Sequence, residues 1–276
     1  MRPRNARIDP ALDRYIPPDT TVMAGINLAR LRDTALYQQH SAQLTDRALE
    51  DFTRQTGVDP RSDLDQAAAC SDGNRMLVLA RGRFGNARER LRSSGALRTT
   101  WHGVDIFGAG EQAAAFPDSA TALAGPVELV RRAIDQKSGG VPEALRPVVD
   151  AIPASDQIWF ATAGGLPGLH GEVQGNMANL VRLAQSVQTA SAGIDVSNGL
   201  SLDARADCVS EEDARKVHDA LRGIIAFARL AAPANRQNLV KAYDAINVVR
   251  EKAEVRVSAA LNQQDTHALL SLWSSR

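Results

Sequence analysis

The chain has 276 residues, and its 32 basic and 32 acidic side chains cancel. That balance leaves no global field to recruit nucleic acid or an anionic membrane, and an aromatic content of 4% argues against base-stacking platforms and aromatic sugar clefts. No apolar run approaches the roughly 18 residues of a membrane helix, whereas 44% hydrophobic residues suit one large domain or two small ones with ample core.

In chain order, residues 1–18 carry Arg2, Arg4, Arg7 and then Pro17-Pro18, which predicts an extended, poorly packed lead-in without the apolar centre of a signal peptide. "TVMAGI" alternates with Val22, Ala24 and Ile26 on one side, the pattern of a half-buried strand. Asn27 can cap a short helical segment starting at Leu28. A helix is predicted over 42–55, where Leu44, Ala48, Leu49 and Phe52 share a face. "RMLVLA" (75–80) reads as a strand and "NARERLRSSG" (86–95) as a helix ending at Gly95. "TTWHGVDIF" and "TALAG" follow as strands, then "VELVRRAI" as a helix.

The second half repeats this order. "QIWFAT" (157–162) is a predicted strand and "NMANLVRLAQSVQTA" a predicted helix, with Met177, Leu180, Val181, Ala184 and Val187 on one face. "LSLDARADC" (200–208) alternates cleanly, "VHDALRGIIAFA" continues as a long helix, "VRVSAAL" (255–261) is another strand, and "THALLSLW" closes as a helix. Clean alternation means sheets with one dry and one wet face, hence antiparallel pairing and an α+β fold with helices covering the sheets. Val22 to Ile158, Met76 to Leu200 and Thr121 to Val255 are near-constant offsets. They predict a tandem duplication of a β-α-β-α-β-β-α-like unit, with halves at 19–136 and 156–276 and a linker at 137–155.

"TGVDPRSDLD" (56–65) places three carboxylates close together. Read as a calcium loop from Asp59, it puts Arg61 and Leu64 where an oxygen ligand and the turn glycine belong, so that reading fails. Read as a helix stop it fits. Gly57 sits where a left-handed residue ends a helix, Val58 can contact Phe52 one turn back, and Asp59 can cap a new turn beginning at Pro60.

The opening "YIPPDTTVMAGINLARL", this joint, a strand followed by "ARGRF", and "LSLDARADCVSEEDARKVHDAL" together resemble a poorly characterised group of bacterial exported proteins over most of the chain. The resemblance implies an α+β fold and a location in the cell envelope. It brings no known activity, cofactor or catalytic residue. This chain opens without a leader; if Met1 is the native start, the expected location is cytoplasmic.

"SEEDARKVHDAL" is a capping box: Ser210 accepts from the third amide of the helix, and Asp213 can reach back. "TAGGLPGLHG" (162–171) offers a ligand-touching loop of Gly164, Gly165 and Gly168 with His170 as its polar group, although it lacks the spacing of a phosphate-binding loop. Arg81, Arg83, Arg88 and Arg92 lie in a stretch with Glu89 as the only nearby acid, a candidate basic patch for an acidic partner. The five histidines (40, 102, 170, 218, 267) are scattered and make no metal-ligand spacing. No nucleophile elbow is present, and Cys208 falls on the apolar side of its strand, where an inert thiol is expected. No metal, cofactor, nucleic acid or transmembrane segment is expected. The reading is a non-enzymatic binding or assembly protein with a protein partner or self-assembly, against two alternatives: a small-molecule or lipid binder with a cavity between sheet and helices, and a hydrolase whose site assembles from dispersed residues.

Overall fold

Antiparallel pairing organises the whole chain, as the alternating segments require. The computed structural model describes residues 7–41, 47–93, 95–136, 138–165, 183–233 and 236–274. The chain divides into two compact units: the first is Met1–Asp33 with His40–Arg146, the second Thr34–Gln39 with Pro147–Arg276.

In the first unit the strands are β1 (Val22–Asn27), β2 (Leu64–Ser71), β3 (Met76–Gly82), β4 (Leu97–Trp101), β5 (Val104–Ala109), β6 (Gln112–Asp118) and β7 (Thr121–Pro126). They run in the order β1-β2-β3-β7-β6-β5-β4, each antiparallel to its neighbour. The helices are α1 (Pro10–Asp13), α2 (Leu28–Arg32), α4 (Arg47–Thr56), α5 (Gly85–Ser93) and α6 (Val127–Asp135); α3 (Ala35–His40) lies almost wholly in the segment assigned to the second unit. Asn27 caps α2 by accepting from the Arg30 amide at 2.9 Å, as its side chain suggests.

From residue 7 onward the N-terminal lead-in is packed. Asp9 caps α1 by accepting from the Ala11 amide at 2.9 Å with Pro10 at the first helical position, and Ile8, Leu12, Tyr15 and Ile16 are buried. Buried Gln66 of β2 accepts from the Asp9 amide at 2.7 Å and donates to the Arg7 carbonyl. In the described part of the expected linker, Val141 and Leu145 are buried in the first unit, and Val149 of α7 (Arg146–Asp150) and Ile152 in the second.

The first unit's core joins Val58, Ala80, Phe84, Ala87, Phe107 and Phe116, with the Phe116 ring tilted against both Phe84 and Phe107. The β4–β5 hairpin turns on two residues in left-handed backbone, His102 and Gly103, the geometry that matches the twist of paired strands. Trp101 ties this hairpin to α6, donating to Asp135 at 2.6 Å while Arg131 lies 5.0 Å over its ring.

The second unit has β8 (Ile158–Ala163), β9 (Val187–Asp195), β10 (Leu200–Cys208), β11 (Ile246–Glu251) and β12 (Glu254–Leu261). Their order is β8-β9-β10-β12-β11, antiparallel throughout. Its helices are α8 (Glu211–Ala231), α9 (Gln237–Asp244) and α10 (Gln263–Ser274). The helix expected over 176–190 is corrected at its end: residues 187–190 open β9, and residues 166–182 lie outside the described residues. The alternation of β10 and β12 puts Leu202, Ala204, Val255 and Val257 on the dry side; Val255 is buried there, whereas Leu202, Ala204 and Val257 are half-buried. One buried cluster here joins Val187, Cys208, Ala214 and Val255, flanked by Val217, Leu221 and Val248, and Trp159 and Ala161 of β8 are buried as well.

Candidate functional site

The residues singled out by sequence divide into those with internal structural work and those without it. Gly57 has φ +73 and its amide closes α4 on the Thr53 carbonyl at 2.8 Å, as a helix stop should. Val58 is buried in the phenylalanine cluster, whereas Phe52 is exposed. Asp59 accepts from the Arg61 amide and guanidinium, both at 2.9 Å, and that charged hydrogen bond holds its carboxyl below the usual range. Asp63 accepts from the Asp59 amide at 2.9 Å, and Asp65 pairs with Arg32 at 3.0 Å. Each of the three carboxylates therefore fastens a corner.

The arginines are similarly engaged. Arg81 donates to Thr121 and reaches Asp118 at 3.4 Å and Asp9 at 3.6 Å. Burial works against charge on Asp118, but bonds from Thr121 and the Ala120 amide together with the Arg81 charge outweigh it, and the carboxyl lies below its usual range. Arg83 donates to the Ser62 carbonyl at 2.6 Å. Arg88 bonds the Phe116 and Asp118 carbonyls at 2.8 and 2.6 Å and stacks over the Phe116 ring. Arg92 and Arg98 share Asp105, at 3.4 and 2.8 Å, and the Arg98 bond leads in holding that carboxyl low. What reads in sequence as a basic patch is a set of staples between a helix, two turns and a strand.

Of the glycine loop, Gly164 and Gly165 are described. Both have positive φ, and both amides donate to the Gln188 carbonyl, at 2.9 and 3.1 Å. Gly168 and His170 lie outside the described residues. Cys70 and Cys208 are free and buried; burial pushes the Cys70 thiol up to about 12 and raises that of Cys208 as well. His102 sits 3.3 Å from Asp135 and His218 2.8 Å from Asp219. Among the described residues no three His, Cys, Asp or Glu side chains converge as a metal site would need, and no helix is long and apolar enough to cross a membrane.

Among the described residues, large apolar side chains gather in the open on the outer side of α8. Ser210 caps this helix by accepting from the Asp213 amide at 3.1 Å, and its hydroxyl donates to the Asp213 carboxylate at 2.7 Å. Ala214, Val217 and Leu221 pack inward on the sheet. With 3.6 residues per turn, the opposite side of the first half carries Glu212, Lys216 and Asp219, and Lys216 pairs with Glu212 at 2.9 Å. In the last two turns that side becomes Gly223, Ala226, Phe227, Leu230 and Ala231, with Ile224 beside them, and all six are exposed. Ile224 is 48%, Phe227 74% and Leu230 81% exposed. A methyl group on Gly223 would meet nothing within 4 Å. The charges on these turns are Arg222 and Arg229, and Arg229 also binds Asp244 of α9.

Sequence reasoning passed over this face, although its signal is legible. "RGIIAFARLAA" is apolar around the helix except for the stripe of Arg222 and Arg229, where a one-sided packing helix would be polar over its outer side. From 220 to 243 the chain holds Arg222, Arg229, Arg236 and Lys241 and no acidic residue.

The chain matches no family model, and no curated protein sequence is similar to it. Among solved structures it is similar to the bacterial protein TP0453. In crystal form III the TM-score is 0.52 at 10% identity, covering 96% of this chain and 98% of that one. In crystal form IV it is 0.51 at 9% identity, covering 95% and 96%. At such identity the likeness establishes the fold alone: an α+β architecture of antiparallel strands and covering helices, extending over nearly the full length of both chains.

Proposed function

We propose that this chain is a non-enzymatic binding or assembly protein of the bacterial cell envelope, and that it docks through the outer face of the last two turns of α8. The observation that carries the reading is the exposure of Ile224, Phe227 and Leu230. A surface side chain standing alone needs no explanation, but contiguous large apolar groups on a helix end mark an interaction site. The carboxylates and arginines that a catalytic reading would recruit are occupied in caps and staples. The envelope location is supported by the resemblance of "YIPPDTTVMAGINLARL" and "TGVDPRSDLD" to exported proteins. Descent of the two halves from one repeated unit is the finer part of this proposal. It is supported by the shared strand sequence β1-β2-β3-β7-β6 and β8-β9-β10-β12-β11, and an experimental structure in which the connections of the two halves had opposite hands would end it.

The functional reading is tested by co-sedimentation with isolated bacterial envelope fragments. The wild-type chain is expected in the pellet and the double variant Phe227→Asp/Leu230→Asp in the supernatant. Equal recovery of the two, or no wild-type recovery, overturns it.

A further inference from the structure

We infer that the partner of this α8 face is an anionic phospholipid surface. The inference rests on the docking reading above and names what is docked. Three observations select this occupant. First, the face is apolar and convex and lies at the end of a helix that leads through Pro233 into α9, so it can be laid on a bilayer without moving the sheet. An amphipathic helix binds such a surface by sinking its apolar side about 5–10 Å into the boundary between headgroups and acyl chains. Phe227 and Leu230, the two most exposed of the large side chains, are of the type that enters.

Second, the rim is basic. Arg222, Arg229, Arg236 and Lys241 lie in a stretch without any acid from 220 to 243. Arg229 is shared with Asp244, and Lys241 with Asp265 at 3.3 Å, whereas Arg222 and Arg236 form no ion pair among the described residues. The chain as a whole is neutral, so its attraction to anionic headgroups is local. It falls off within a Debye length of about 8–10 Å. Arg222, on the same turns as the apolar face and exposed, meets that requirement, because the cation and the apolar side chains reach the surface together.

Third, a second copy of the chain fits poorly. A stable dimer needs roughly 800 Å² from each partner, and one aromatic side chain covers about 150–250 Å², so three large side chains and their small neighbours fall short. Two such faces brought together would also set Arg222 of each copy near the other with its charge unpaired among the described residues. A bilayer imposes neither limit, since it moulds to a small convex face and supplies the negative charge.

The test is flotation of the purified chain with protein-free vesicles, of phosphatidylcholine alone and of phosphatidylcholine mixed with phosphatidylglycerol. Binding is expected to the mixed vesicles, and to be about tenfold or more weaker for neutral ones and at high salt. Phe227→Asp/Leu230→Asp should abolish it with the unfolding midpoint unchanged, since both positions are exposed. Phe227→Ser serves as the milder variant should the double one fold poorly, and should weaken binding measurably. Wild type that sediments with envelope fragments yet ignores both kinds of vesicle would overturn the lipid assignment, give the face to a protein partner and leave the docking reading standing. Concentration-dependent dimers in light scattering that vanish in the double variant would overturn it in favour of a second copy. Binding to neither vesicles nor envelope fragments would end both readings.

Discussion

The two units run their strands in one order and fill them differently. In the first, Phe84, Phe107 and Phe116 share a buried cluster with Val58, Ala80 and Ala87, and an added hairpin, β4–β5, extends the sheet. In the second, the cluster of Val187, Cys208, Ala214 and Val255 has no aromatic member, the hairpin is absent from the described residues, and α8 with α9 takes its place in the chain. The phenylalanine of α8 stands outside, in water. Antiparallel strand order is thus compatible with quite different amounts of buried aromatic surface. The second unit buries Trp159 of β8 but leaves Phe227 and Leu230 of α8 exposed, where they add little to its own stability.

If that contrast is real in energy, substitutions at equivalent depth should have unequal effects. Phe107→Ala is expected to destabilise by about 3–5 kcal/mol, and Val255→Ala by roughly 1–3 kcal/mol. Urea unfolding measures both, and equal losses would remove the contrast. Backbone strain should run the other way. Gly199, in the β9–β10 turn, has φ +106, and a Cβ there would stand 2.2 Å from the Leu261 carbonyl oxygen. Gly199→Ala should therefore cost about 2–4 kcal/mol from left-handed strain plus overlap. At Gly57 the nearest group is the flexible Arg90 side chain at 3.3 Å, so Gly57→Ala should cost only the strain, about 1–2 kcal/mol. An unchanged midpoint for Gly57→Ala would contradict the helix-stop geometry.

Smaller effects sharpen the comparison at the helix caps and in acid. Ser210→Ala in the second unit is expected to cost about 1 kcal/mol, and Asn27→Ala in the first no more, because α2 is only 5 residues long; thermal unfolding reads both. Asp59 and Asp105 have carboxyls held low by Arg61 and Arg98. A carboxyl whose folded value is depressed adds stability that is present above its unfolded value, near pH 4, and disappears as the pH falls through the folded value. Stability should thus fall on acidification below about pH 4, and Asp59→Asn or Asp105→Asn should flatten that fall while lowering stability at neutral pH. A variant with the wild-type acid slope would show that these pairs contribute nothing.

Much of this architecture is written in alternation and capping. β10 and β12, α8 behind Ser210, α2 behind Asn27 and the stop at Gly57 all follow from local chemistry. Three of the strands that escaped a reading by periodicity share one property. β2 is "LDQAAACS" and β6 is "QAAAFPD", where alanine occupies both faces, and β9 opens "VQTASAG", where small residues do, so the buried side differs little in character from the other. Alanine is also the strongest helix former, which is why the start of β9 reads as the end of a helix; pairing with neighbouring strands overrides that preference. The N-terminal segment hides its signal differently. Ile8, Leu12 and Tyr15-Ile16 have helical spacing, masked by the arginines and prolines around them. The α8 face went unread because a search for a site looks for polar convergence, and this face has none. The arginine cluster drew attention for the same reason, and only the distances to Thr121, Ser62, Phe116 and Asp105 reveal it as internal fastening.

The two cysteines give each unit a thiol that chemistry cannot easily reach. With the Cys70 thiol pushed up to about 12 by burial, it stays protonated at neutral pH, and the thiolate is the species that attacks disulfides and reacts with oxidants. Cys208, raised in the same direction, ends β10 in the cluster with Val187, Ala214 and Val255. In an oxidising compartment such a chain would have its redox lifetime set by how often β2 or β10 opens rather than by how much oxidant surrounds it. A polypeptide of this design can keep two unpaired cysteines outside a reducing cytoplasm, with folding itself as the protecting group.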